Sequence, residues 1–133
     1  MPLKNLVPTL NISDIEASLE FYREALGFDV VSDPAAVREW RWATIRSGYT
    51  ERMLSEARHA PPADKSTGPR DDSDWPVIFY FYPDDVVALY AQVIAQGFEP
   101  NPLEATFYGM REFSLTDPDG QLLSFGQDSK RPG

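Results

Sequence analysis

The chain has 133 residues, enough for one modest hydrophobic core, and 42% of them are hydrophobic, so it is expected to fold. Twelve basic against twenty-one acidic residues give a formal net charge of −9, which argues against nucleic-acid phosphates as partners. There is no cysteine, which removes disulfides and thiolate metal sites. No apolar run approaches the roughly 20 residues of a membrane span, and Met1 to Asn5 lacks the basic-then-apolar pattern of a signal peptide, so a cytoplasmic protein is expected.

Leu6 to Ile12 alternates in polarity and predicts a half-buried strand. Ser13 or Asp14 then caps a helix whose apolar stripe holds Ala17, Phe21 and Ala25, and Gly27 ends it. Phe28 to Val31, Trp40 to Ile45 and Arg52 to Glu56 predict three more strands. Ala57 to Trp75 contains Pro61-Pro62 and Gly68-Pro69 and has no apolar periodicity. It predicts a linker or a lid.

The plan then repeats. Val77 to Tyr82 alternates as a strand, Asp85 to about Gln96 reads as a helix stopped by Gly97, and Phe98 to Asn101 reads as a short strand. Met110 to Thr116 and Gln121 to Gln127 are two further strands joined by the turn Asp117-Pro118-Asp119-Gly120. Asp14 and Asp84 are 70 positions apart, as are Gly27 and Gly97, so the chain is read as a duplicated unit. A cleft between two matching half-sheets is then the expected ligand site.

The stretch from Ile12-Ser13-Asp14 through Glu20-Phe21-Tyr22 to Leu26-Gly27-Phe28 carries a family resemblance. So do Asp84-Asp85-Val86 to Gly97-Phe98 and Arg111-Glu112-Phe113 with Asp117-Pro118-Asp119-Gly120. In this order and spacing they resemble the vicinal-oxygen-chelate superfamily of glyoxalases, extradiol dioxygenases and bleomycin-resistance proteins. The resemblance covers nearly the whole chain as one domain, with module 1 at about 1–56, a loop at about 57–75 and module 2 at about 76–133. It implies an α+β fold in which two βαβββ modules form a concave, mostly antiparallel sheet with helices on its outer face. It also implies a homodimer with a site in or near the subunit interface.

Enzymatic members of that superfamily hold a divalent metal at four strand positions. The resemblance places those positions at Val7, Glu56, Ile78 and Ser124. Val7 and Ile78 have no lone pair to offer, Ser124 is a weak neutral donor, and one carboxylate falls short of the roughly three protein ligands such sites use. The only histidine, His59, lies in the loop. The expectation is therefore no metal and no cofactor, as in the bleomycin-resistance branch, whose members sequester a drug without chemistry.

Alternation gives a second estimate of the site. Leu10, Ile12, Phe79, Phe81, Phe113, Leu115, Leu123 and Phe125 form the helix-facing side. The opposite side then carries Trp40, Trp42, Glu56, Tyr80, Tyr82, Glu112 and Ser124, with Phe107 and Tyr108 at its edge. Aromatics there offer stacking and cation–π surfaces, and the carboxylates attract a cation. Core or dimer packing would use the same residues. The expected function is metal-independent binding of a flat aromatic or cationic small molecule. The alternatives are a lyase or dioxygenase with an atypical metal site, and a dimeric interaction module with no small-molecule ligand.

Overall fold

The computed structural model describes residues 3–56 and 77–129. The 57–75 segment and His59 lie outside the described residues. The chain forms two units, Met1–Ala63 and Asp64–Gly133, each built on a four-stranded mixed sheet. The fold is α+β with two βαβββ modules.

The first unit runs β1 (Thr9–Ile12), α1 (Ile15–Leu26), β2 (Asp29–Val30), α2 (Pro34–Trp40), β3 (Trp42–Ser47) and β4 (Thr50–Glu56). Its strand order is β1-β4-β3-β2, with β1 parallel to β4 and the other pairs antiparallel. The second unit runs β5 (Phe79–Phe81), α3 (Val86–Ala95), β6 (Glu104–Ala105), β7 (Met110–Thr116) and β8 (Leu122–Asp128). Its order β5-β8-β7-β6 repeats the same topology.

Three sequence expectations are corrected here. Trp40 is the last residue of helix α2, not the first of a strand. Pro34 sits at the helix start, where its missing N–H costs nothing, and Asp33 caps it. The short strand expected at Phe98 to Asn101 is instead the two-residue β6 at Glu104–Ala105, although Asn101 N–H still donates to Ser114 O at 2.9 Å. The repeat is also not uniform. Asp14 accepts from Ala17 N and Asp85 from Ala88 N, so the two N-caps are 71 apart while the closing glycines are 70 apart. Helix α3, with 10 residues, is shorter than its counterpart α1, with 12. Gly27, at φ 73°, follows α1 and supplies the left-handed turn that releases the chain into β2.

Each unit buries its helix-facing side. Ile12, Ile15, Phe21, Tyr22, Ala25, Phe28, Ala43, Ile45 and Leu54 fill the first core. Arg52 joins them on the same side of β4, only 1% exposed, with its guanidinium 5.1 Å from the centre of the Tyr22 ring. In the second unit Val86, Val93, Phe113, Leu115, Leu123 and Phe125 are buried, and Tyr90 of α3 meets Phe113 edge-on at 5.3 Å.

Helices α1 and α3 begin with the same device. Glu56 Oε2 accepts from Ile15 N at 2.8 Å, and Gln127 Oε1 accepts from Val86 N at 2.8 Å, each across 41 positions. The end of the fourth strand of each module thus satisfies the first free N–H of that module's helix. Glu56→Ala is expected to destabilise the chain by about 1–2 kcal/mol, in the range of losing a cap acceptor, by urea unfolding. A change below a few tenths would show that water replaces the carboxylate freely.

Candidate functional site

The strand registers decide which side chains share a face. In the second unit Glu112 stands opposite Gly126, Ser114 opposite Ser124, and Tyr80 beside Ser124. These residues lie on the side away from Phe113, Leu115 and Phe125. Tyr80 leans across β8 over Gly126 to reach Glu112 on β7, where its hydroxyl donates to Oε2 at 2.5 Å. Tyr108 donates to the other oxygen, Oε1, at 2.6 Å. Glu112 is therefore a carboxylate held at both oxygens by phenols, with further lone pairs left for a ligand.

Turn chemistry places Tyr108. Thr106 N donates to Met110 O at 2.7 Å, Met110 N donates to the Thr106 hydroxyl at 2.9 Å, and Gly109 takes φ 86°. This tight β6–β7 connection leaves Phe107 and Tyr108 at its tip, their rings edge-to-face at 4.9 Å, and Phe107 is fully exposed. Tyr82 follows Tyr80 on the same face, with ring centres 5.0 Å apart. A pocket of about 310 Å³ adjoins Glu112. Asn101, Pro102, Glu104, Thr106, Ser114 and Ser124 complete its wall with Phe113. It has two carboxylates, an amide and three hydroxyls, and no basic side chain among its lining residues. Glu104 pairs directly with Glu112 across β6 and β7. Partial burial, and then the hydrogen bond to Glu112, hold the Tyr80 phenol above its ordinary range.

Tyr80, Tyr82, Phe107, Tyr108, Glu112 and Ser124 are thus gathered in one unit. Trp42 lies on the corresponding open side of the first unit, paired with Ser55, and Trp40 is exposed at the end of α2. Glu56 is corrected. It shares the parity of Arg52 and Leu54, so it lies on the helix side and not on the open face. Its duplicated counterpart is Gln127, and the position that matches Ser124 in the first module is Met53.

The Glu56 carboxylate is also occupied. Arg41 Nε donates to its Oε1 at 3.1 Å and Nη2 to its Oε2 at 2.8 Å, while the same guanidinium grips both oxygens of Glu16. Arg41 takes φ 53°, a left-handed conformation that non-glycine residues seldom adopt, and these two carboxylates hold it there. The Arg41 hydrogen bonds bring Glu16 down to about 2 and also lower Glu56. Both carboxylates therefore contribute stability that is complete above the ordinary value of 4.5 and is lost as pH falls below it, for Glu16 toward about 2. Arg41→Gln is expected to lower the melting temperature at neutral pH, with the gap to the parent closing as pH drops through that window. Salt should narrow the gap too, because Glu16 is exposed. A gap that stays constant down to about pH 2 would contradict the assignment.

The superfamily's metal fits these residues poorly. Val7 and Ile78 carry no donor atom, Ser124 offers one neutral hydroxyl, and Met53 stands where a carboxylate was expected. Among the described residues, the one carboxylate trio close enough to share an ion is Asp14, Glu16 and Glu56, and the Arg41 cation already pairs with two of its members. The Asp117 to Gly120 segment is a turn, as its sequence suggests. Asp117 Oδ1 accepts from Asp119 N and Gln121 N, both at 2.9 Å.

Sequence reasoning missed Asn101, Pro102, Glu104 and Thr106 in the pocket wall, because nothing in an irregular loop fixes which way it faces. Ser114 was readable from its alternation with Phe113 and Leu115.

This chain belongs to the Glyoxalase/Bleomycin resistance protein/Dioxygenase superfamily, whose family model matches residues 6–125. Its fold is similar to that of TnmS3, an antibiotic-binding protein from Streptomyces sp. CB03234 (25% identity, 97% of this chain and 99% of that one, TM-score 0.72). It is similar also to a bleomycin-binding protein solved with bleomycin (22%, 94% and 98%, TM-score 0.67). A third similar structure is the bleomycin resistance determinant encoded on transposon Tn5 (22%, 95% and 98%, TM-score 0.69). No curated protein matches the chain. No helix among the described residues is long and apolar enough to cross a membrane.

Proposed function

We propose that this protein binds a flat aromatic or cationic small molecule without a metal and sequesters it unreacted. The observation that carries this reading is the Tyr80–Glu112–Tyr108 group beside an acidic, hydroxyl-lined pocket. Tyr82 and Phe107 present exposed rings next to it, each worth about 0.5–2 kcal/mol against a planar or cationic ligand. The net charge of −9 favours approach of a cation. Similar structures described as antibiotic-binding and bleomycin-binding support the same reading.

The test is equilibrium dialysis of the protein, with chelator present, against bleomycin, the acridine cation proflavine and a neutral aromatic of similar ring size. Saturable uptake of at least one compound, recovered with unchanged mass, is expected. Uptake of none, or recovery of a converted product, would contradict the reading.

The same reading includes a homodimer and a cytoplasmic location. Trp40, Tyr82 and Phe107 are exposed aromatics that either a ligand or a second copy would cover. Light scattering should give twice the chain mass. If Tyr82→Ala halves that mass and no compound is taken up, the interaction-module reading replaces the binding one.

A further inference from the structure

Gly126 lies buried within β8, where a glycine ordinarily weakens a strand by leaving nothing to pack. No positive φ demands it there, since Gly126 is not among the glycines with left-handed backbone. The space beside it is instead already occupied by the Tyr80 side chain. A Cβ built at Gly126 would lie 1.7 Å from the Tyr80 hydroxyl oxygen and 2.6 Å from Tyr80 Cζ. Tyr80 belongs to β5 and its partner Glu112 to β7, with β8 between them. The phenol crosses the intervening strand at the one position without a side chain, directly opposite Glu112 in the register.

We propose that Gly126 is the positioning residue of the binding site. Its missing Cβ is the passage through which Tyr80 reaches Glu112, and this fixes the carboxylate as an acceptor for a cationic, hydrogen-bond-donating ligand group. The proposal rests on the binding reading above and deepens it by naming the ligand chemistry. Tyr80 and Tyr108 both donate to Glu112, and an ammonium, guanidinium or protonated ring nitrogen complements what remains of its lone pairs. Ser124, on the same face two residues before Gly126, lines the adjoining pocket with Glu104 and Glu112.

The obstructing atoms are the far end of a side chain, so Gly126→Ala is expected to fold with Tyr80 swung away from Glu112. Ultraviolet titration of tyrosine ionisation reads this without any ligand. One late-ionising phenol of the parent should move toward the ordinary range in Gly126→Ala, and it should be missing in Tyr80→Phe. An unchanged titration in folded Gly126→Ala would overturn the proposal. If Gly126→Ala does not fold, Tyr80→Ala/Gly126→Ala should, because removing the ring makes room for the methyl. Failure of both would show that Gly126 is needed for something other than Tyr80.

Proflavine is the binding probe. Gly126→Ala and Tyr80→Phe should each weaken it about tenfold, with little further loss when combined. Parent-like affinity in Gly126→Ala would overturn the proposal. If the parent itself takes up no probe, the binding reading fails and the assignment of ligand chemistry fails with it, while the titration still decides whether Gly126 seats Tyr80.

Discussion

Replacing Glu112 by glutamine is expected to weaken proflavine uptake about 10- to 100-fold and leave the neutral aromatic nearly unaffected. A charge-assisted hydrogen bond is worth about 1.5–3 kcal/mol, and each 1.4 kcal/mol is about tenfold in affinity. Glutamine keeps the size of the side chain and one acceptor oxygen, but its NH2 meets a tyrosine hydroxyl that now donates to a carboxylate oxygen. The charge that attracts a cation is removed, and one phenol must turn its proton elsewhere. Stability should hardly fall, since Glu104 stands directly across from Glu112 and like charges in that position repel. Calorimetric titration beside a thermal melt separates the two effects. Equal losses for the charged and neutral probes would mean that Glu112 shapes the site without recognising charge.

The second large effect concerns the core that carries this face. Phe125→Ala should destabilise the protein by about 3–5 kcal/mol, the usual range for a buried phenylalanine reduced to alanine. Phe125 is 3% exposed and stacks between Phe113, at 4.8 Å and 19°, and Phe81, at 5.3 Å and 17°. It therefore ties β8 to both neighbours on the helix side while Ser124 and Gly126 face the other way. Urea unfolding would read the loss as a lower midpoint at similar slope. Tyr82→Ala, on an exposed ring, serves as the contrast and should stay within about 0.5 kcal/mol. A loss below about 1 kcal/mol for Phe125→Ala would mean that the stacked rings close over the gap.

Much of this architecture is legible in the residues. The alternation Phe113, Leu115 against Glu112, Ser114 sets the two faces of β7, and Asp117-Pro118-Asp119-Gly120 marks the turn that follows. Strand β7 falls on the predicted residues, Met110–Thr116. Helix α2 was hidden because Pro34 to Trp40 is short and has only Val37 buried, too little for an apolar period to emerge. Trp40 consequently joined a strand that begins two residues later. Glu56 was misplaced by a single position of parity, which in a strand moves a side chain to the opposite face. The recurring separation of 41 between a helix start and a Glu or Gln was the available signal for its capping role.

The candidate site was readable in its strand-borne members and not in its loop-borne ones. Tyr80, Glu112 and Ser124 follow from alternation, whereas Glu104 and Thr106 depend on how an irregular segment folds back. Gly126 was invisible for a different reason. Its role comes from a side chain two strands' worth of chain away, and only the register of β5 on β8 brings Tyr80 over it.

The proposed function is uptake of an organic cation, with no metal, by a carboxylate held by Tyr80 and Tyr108. Its most direct test is calorimetric titration of the parent protein and Glu112→Gln with proflavine, each with and without EDTA. One saturable site per chain is expected in the parent, with the same affinity in EDTA and binding weakened at least tenfold in Glu112→Gln. Binding abolished by EDTA, or equal in the two proteins, would contradict it.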